Sequence, residues 1–138
     1  FPKSVKDGIG APLQAKFCAY ADKKCIHAVG PNFGMKSYSY AEALQDLSKT
    51  YVSIFAEFCA SKIGTLRLLP VSSGIFSGSF STQLPEMTAA AMQSAFTGLS
   101  RHQQQVISKA RIEMCIFNES EFAQYVTAFK KQDGIVTL

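Results

Sequence analysis

The chain has 138 residues and a mass of 15.0 kDa, enough for one domain that buries roughly two thirds of its unfolded surface. It is 47% hydrophobic and 17% charged, a balance that excludes a disordered chain, and no apolar run reaches the roughly 18 residues of a membrane span. The net charge of +4 is spread along the chain in runs no longer than two, so the basic balance favours a solvated surface over a dedicated nucleic-acid stripe.

The first elements are short. Lys16 to Tyr20 and Lys24 to Val29 have strand character and are separated by Ala21-Asp22-Lys23, which suits a tight antiparallel turn. Gly30-Pro31-Asn32-Phe33-Gly34 then punctuates the chain as a loop. From Tyr40 to Lys62, Leu44, Leu47, Tyr51, Ile54, Phe55 and Phe58 recur at helical spacing and predict an amphipathic helix.

The next unit runs from strand to loop to helix. Thr65 to Leu69 is an apolar run of strand length, and Gln83 to Leu99 reads as a helix opened by Thr82 and Pro85. Between them lies Val71-Ser72-Ser73-Gly74-Ile75-Phe76-Ser77-Gly78. Glycine lets backbone N–H groups approach a ligand closely, and successive N–H groups in such a turn form an anion cradle. No Gly-Lys-Ser/Thr follows, so this is not a Walker loop. The alternative is a surface loop whose Ile75 and Phe76 pack into the core.

Ser100 to Lys109 reads as a polar connector and Ile112 to Phe117 as the last strand. A final helix starts at Asn118, with Glu121 placed for a capping box, and runs to about Lys131 before a stop at Gly134. The order β-β-α-β-α-β-α predicts an α/β fold with a mixed, largely parallel sheet between helices, as one domain over residues 1–138. In such sheets ligands bind beyond the carboxyl ends of the strands, which here carry the loops after Val29, Pro70 and Phe117. A phosphate-bearing nucleotide fits that edge.

The remaining chemistry is sparse. Cys18, Cys25, Cys59 and Cys115 include no C-x-x-C pair, and the only histidines are His27 and His102, so neither a metal site nor a cofactor is expected. The cysteines lie in apolar segments and read as reduced, mostly buried thiols of an intracellular protein, cytoplasmic or nuclear. His27 sits in an apolar strand, where a hydrogen-bonded structural histidine outweighs a general base.

Three segments together resemble the macro domain family, especially its viral replicase members. Ile26-His27-Ala28-Val29-Gly30-Pro31-Asn32-Phe33 is similar to the family's strand-and-turn signature, and Ser72-Ser73-Gly74-Ile75-Phe76-Ser77-Gly78 to its second phosphate-binding loop. Cys115-Ile116-Phe117-Asn118 and the following Phe122 resemble the last strand and helix. The resemblance implies a three-layer α-β-α fold that binds ADP-ribose. Ser72, Ser73, Gly74, Ile75 and Phe76 would hold the diphosphate and distal ribose, Val29, Gly30 and Pro31 would shape the adjoining loop, and Phe117 and Asn118 would meet the adenosine. Asn118 is equally explained as a helix N-cap.

The resemblance also implies removal of ADP-ribose from proteins as the activity, with a non-catalytic ADP-ribose reader as the alternative. A module binding RNA, such as poly(A), or a protein partner is the third reading. Monomer is the default state, with no membrane association. Phe1 to Val5 looks like the end of the family's first long helix, so the opening strands, with the asparagine assigned to the catalytic water, are expected to be absent from this sequence. Catalytic residues therefore stay unassigned, since no Asp, Glu, His or Lys lies between Pro70 and Gln83.

Overall fold

The computed structural model describes residues 8–131. The readings of Phe1 to Val5 as a helix end and of Gly134 as a stop signal lie outside them. The described residues form a mixed α/β arrangement of four α-helices, one 3-10 segment and four strands. None of these helices is long and apolar enough to cross a membrane.

Strands β1 (Ala15–Tyr20) and β2 (Lys23–Ala28) form the expected hairpin, in register from Ala15 opposite Ala28 to Tyr20 opposite Lys23. The turn is made by Ala21 and Asp22, with Ala21 at φ +49°. Beyond the strands the ladder continues: Leu13 donates to the Val29 carbonyl at 2.7 Å and Val29 to the Gln14 carbonyl at 3.0 Å. The extended chain is thereby held up to Gly30.

Helix α1 (Tyr40–Ser61) matches its predicted stripe, with Leu47, Tyr51, Ile54, Phe55 and Phe58 buried. Ser39 opens it in a reciprocal capping box with Glu42. Lys62 closes it at φ +60°, its N–H returning to the Cys59 carbonyl. Burial of each large side chain of this stripe stabilises the fold by roughly 1.5–3 kcal/mol.

Strand β3 (Thr65–Leu68) pairs in parallel with β4 (Arg111–Met114), from Thr65 opposite Arg111 to Leu68 opposite Met114. Between them run the 3-10 segment Gly74–Phe80, α2 (Leu84–Gly98) and α3 (Arg101–Lys109). Helix α2 packs against both α1 and α4 (Glu119–Lys130), which explains why Leu84, Met87, Ala91, Met92 and Ala95 leave it little polar surface. Pro85 stands in its first turn, where a missing N–H costs no internal hydrogen bond.

Four expectations are corrected here. Ser100 to Lys109 is a helix and not a connector: Ser100 and Gln103 form a capping box, and Gln104 Nε2 donates to the Phe96 carbonyl at 3.0 Å. Only Ile107 of α3 is buried, so the segment lacks the apolar periodicity that marks a core helix. The Asn118 side chain caps α4 through the Ser120 N–H at 3.1 Å, without the Glu121 partner of a capping box. The four cysteines are half-buried, not fully so.

The fourth correction concerns the sheet. The described strands form two separate two-stranded sheets, β1-β2 and β3-β4, in place of one largely parallel sheet. Ile54 and Phe58 of α1 lie in the groove between β2 and β3, where no strand among the described residues links the two edges. The strands converge only at their carboxyl ends. A Cβ on Gly30 would collide with Val71 Cγ1 and lie 2.8 Å from Ser72 Oγ, so glycine is needed for this approach.

Candidate functional site

The two glycine-rich segments come together as one unit at the carboxyl ends of β2 and β3. The Ser72 hydroxyl donates to the Pro31 carbonyl at 2.6 Å in a buried position. The Phe33 N–H donates to the Phe76 carbonyl at 2.9 Å. Phe33 is itself buried, with edge-to-face contacts to Tyr38 and Phe80 at centroid distances of 5.1 and 5.4 Å. Hydrogen bonds and an aromatic anchor therefore fix the relative position of the loops.

Backbone conformation explains why these sequences make the turn. Ser72 and Gly74 have φ of +61° and +69°, in the left-handed region that costs a residue with a Cβ about 1–2 kcal/mol. The cost at Ser72 is offset by its buried hydrogen bond to Pro31. Gly78, at φ +55° and ψ −128°, breaks the 3-10 segment, and a Cβ there would lie 2.7 Å from the Phe33 carbonyl oxygen. Ser77 Oγ donates to the Gly74 carbonyl at 2.7 Å and tightens the turn.

A buried tyrosine sets the start of the loop. Tyr51 Oη on α1 accepts the Val71 N–H at 3.1 Å. Its burial pushes the phenol pKa far above the ordinary tyrosine range, while the Val71 N–H acts in the opposite direction. Desolvation also raises Tyr125, to about 12, and the Glu121 carboxylate adds to that rise. Both tyrosines are neutral at physiological pH.

The sequence-derived residues divide by what their groups already do. Val29 uses its N–H and carbonyl in the hairpin ladder, Gly30 gives the close strand approach, and Pro31 is buried with its carbonyl engaged by Ser72. The Ser72 side chain is thus an internal tie. Ser73, Gly74, Ile75 and Phe76 are exposed, and nothing lies within 4 Å of a Cβ built on Gly74. The N–H groups of Gly74 and Ile75, at the start of the 3-10 segment, precede its internal bonding pattern.

Ile75 is 92% exposed and Phe76 42% exposed, so neither packs into the core as the surface-loop alternative requires. Phe117 is 98% exposed, and the parallel register places it beyond the carboxyl end of β4, on the sheet edge from which the Ser/Gly loop departs β3. Asn118 is exposed, but its Oδ1 is engaged by the Ser120 N–H and hydroxyl. A groove of about 890 Å³ adjoins the loop unit and includes Val71 in its lining. It runs back along β2 and β3 and is not enclosed by Ser73 to Phe76.

The supporting contacts of Tyr51 and Phe33 are not apparent from apolar periodicity. A tyrosine in a core stripe does carry one signal, because its hydroxyl needs a partner when buried. His27 has the structural setting expected: Nε2 lies 2.6 Å from Tyr20 Oη and 3.3 Å from Cys25 Sγ. A scan against protein-family models finds no match, and a search of curated proteins finds none.

Proposed function

We propose that this chain is an ADP-ribose-binding module of the macro domain type. The observation that carries the reading is the union of the two loops through Ser72–Pro31 and Phe33–Phe76, which leaves Ser73 to Phe76 facing outward. The open backbone around Gly74 suits a diphosphate, because oriented N–H groups in a turn stabilise anionic oxygen. Phe76 supplies apolar surface for the distal ribose, and Phe117 a face on which adenine can stack.

Removal of ADP-ribose from modified proteins is the activity the macro domain resemblance implies. Hydrolysis needs a positioned water and groups that move protons, and residues 71–82 contain no Asp, Glu, His or Lys. The groups for proton transfer would therefore come from outside this loop, and a non-catalytic ADP-ribose reader is the second reading. The loops bind and orient in either case.

Gly74→Glu tests the site. The substitution places a carboxylate and a strained backbone where the diphosphate should lie, so ADP-ribose affinity falls by about tenfold or more, equivalent to at least ~1.4 kcal/mol. Circular dichroism checks that the variant is folded. Unchanged affinity in a folded variant would remove the Ser/Gly loop from the binding site. Release of ADP-ribose from a carboxylate-linked protein by the wild-type chain then separates hydrolase from reader.

A further inference from the structure

The β1-β2 hairpin carries the titratable side chains that the loop unit lacks. Side chains alternate along a strand, so Cys18 and Tyr20 of β1 share one face with Cys25 and His27 of β2. The opposite face, with Ala15, Ile26 and Ala28, packs against the core. The register sets Cys18 directly across from Cys25. Both thiols are half-buried and unbridged.

A contact of the neighbouring residue fixes the kind of rung these cysteines occupy. The Phe17 N–H leaves the ladder and donates to Glu57 Oε1 of α1 at 2.7 Å. Phe17 and Ile26 therefore form a non-hydrogen-bonded pair, and Cys18 and Cys25, one rung on, form a hydrogen-bonded one. The Cα atoms of such a pair stand about 5.5 Å apart, within the roughly 4.4–6.8 Å that a disulfide spans. Its Cβ atoms stand about 5 Å apart where a relaxed bridge has about 3.8 Å, so closure strains the bond and leaves it easily reduced.

Two further side chains bear on these thiols. His27 Nε2 lies 3.3 Å from Cys25 Sγ and 2.6 Å from Tyr20 Oη. Partial desolvation raises the Tyr20 phenol above its ordinary range, and Cys18 and Cys25 add to the rise, which places both sulfurs beside one hydroxyl. An imidazole nitrogen in this position can take the Cys25 proton, and the thiolate is the nucleophilic form of cysteine. Cys59 has a different setting: burial pushes its thiol up, and its Sγ donates to the Gln103 carbonyl at 3.8 Å.

We propose that Cys18 and Cys25 form a redox-responsive dithiol that a hydroperoxide converts to a cross-strand disulfide. His27 Nε2 takes the Cys25 proton, and the thiolate attacks the terminal peroxide oxygen. The O–O bond breaks, the alcohol leaves with that proton, and Cys25 becomes a sulfenic acid. The Cys18 sulfur then attacks Cys25 Sγ. The S–S bond forms, the S–O bond breaks, and hydroxide departs as water with the Cys18 proton. Two thiols are oxidised and one hydroperoxide is reduced to alcohol and water. A thiol reductant restores the pair by exchange.

The test treats the folded chain with tert-butyl hydroperoxide, alkylates the remaining thiols and maps tryptic peptides by mass. Cleavage after Lys16, Lys23, Lys24 and Lys36 puts Cys18 and Cys25 on separate peptides, 17–23 and 25–36, so a bridge between them is read directly. The dithiol predicts that linked pair within one molecule, its loss in dithiothreitol, and alkylated thiols at Cys59 and Cys115. In Cys18→Ser the reaction stops at a Cys25 sulfenic acid that dimedone traps. His27→Gln, which keeps a polar group toward Tyr20, should slow oxidation of Cys25 by at least about tenfold and leave Cys59 unchanged.

Peroxide that leaves Cys18 and Cys25 alkylatable would overturn the proposal. So would a bridge from either residue to Cys59 or Cys115, or one found only in covalent dimers on a non-reducing gel. An unchanged rate in His27→Gln would overturn the assigned proton transfer. None of these outcomes depends on ADP-ribose binding at the loops.

Discussion

The Ser72 hydroxyl and the Pro31 carbonyl, 41 positions apart in sequence, meet at 2.6 Å in a buried hydrogen bond. This contact makes one unit of two loops that leave different sheets. Ser72→Ala leaves the Pro31 carbonyl without that donor and should cost about 1–3 kcal/mol. Urea denaturation reads the loss, and the proposed site predicts weaker ADP-ribose binding in the same variant. A stability change below about 0.5 kcal/mol would show that the tie does not hold the loops.

Gly74 and Gly78 both have positive φ, but they occupy different surroundings. A methyl group at Gly74 meets open space, so Gly74→Ala should cost only the conformational strain of about 1–2 kcal/mol. Gly78→Ala adds a clash with the Phe33 backbone and should cost more than about 2 kcal/mol. Chemical denaturation of the two variants in parallel decides this, and equal losses would contradict the geometry.

Tyr51 and Tyr125 make stability sensitive to alkali. Burial raises both pKa values above the ordinary 10.0, Tyr125 to about 12 and Tyr51 further. Above pH 10 the unfolded chain releases these protons while the folded chain retains them, so stability falls as pH rises. The contribution is fully present below the unfolded pKa and is lost through the folded values. Tyrosinate absorbance should therefore show two of the five tyrosines ionising with unfolding and not before it. Tyr51→Phe should flatten the alkaline slope while costing about 1–2 kcal/mol at neutral pH through the lost Val71 hydrogen bond.

The cap of α3 gives a further check on local structure. Ser100 Oγ accepts the Gln103 N–H at 3.2 Å, and Gln103 Oε1 accepts the Ser100 N–H at 3.1 Å. Ser100→Ala should destabilise the protein by about 1 kcal/mol. Thermal unfolding measures it, and no shift would mean that the capping box does not hold α3.

Elements with a strong periodic signal were legible from sequence. The α1 stripe places Leu47, Tyr51, Ile54, Phe55 and Phe58 in the core because their spacing leaves one helical solution. The hairpin followed from two short strand-like runs and the tight turn between them. Helix α3 was obscured because it buries only Ile107, and its capping box starts a segment with no apolar face. Strand pairing was less accessible, since edges depend on neighbours remote in sequence: the same runs that suggest one sheet form two. At the candidate site, glycine punctuation located both loops. The choice between core and surface for Ile75 and Phe76 needed the fold, because an apolar side chain in a loop carries no period.

Calorimetric titration of the intact chain with ADP-ribose, then with ADP and AMP, tests the central reading most directly. The loop unit predicts micromolar ADP-ribose binding, worth about 8 kcal/mol, and much weaker binding of AMP, which lacks the second phosphate and distal ribose. A folded protein that binds none of the three would contradict the assignment of Ser73 to Phe76 as an ADP-ribose site.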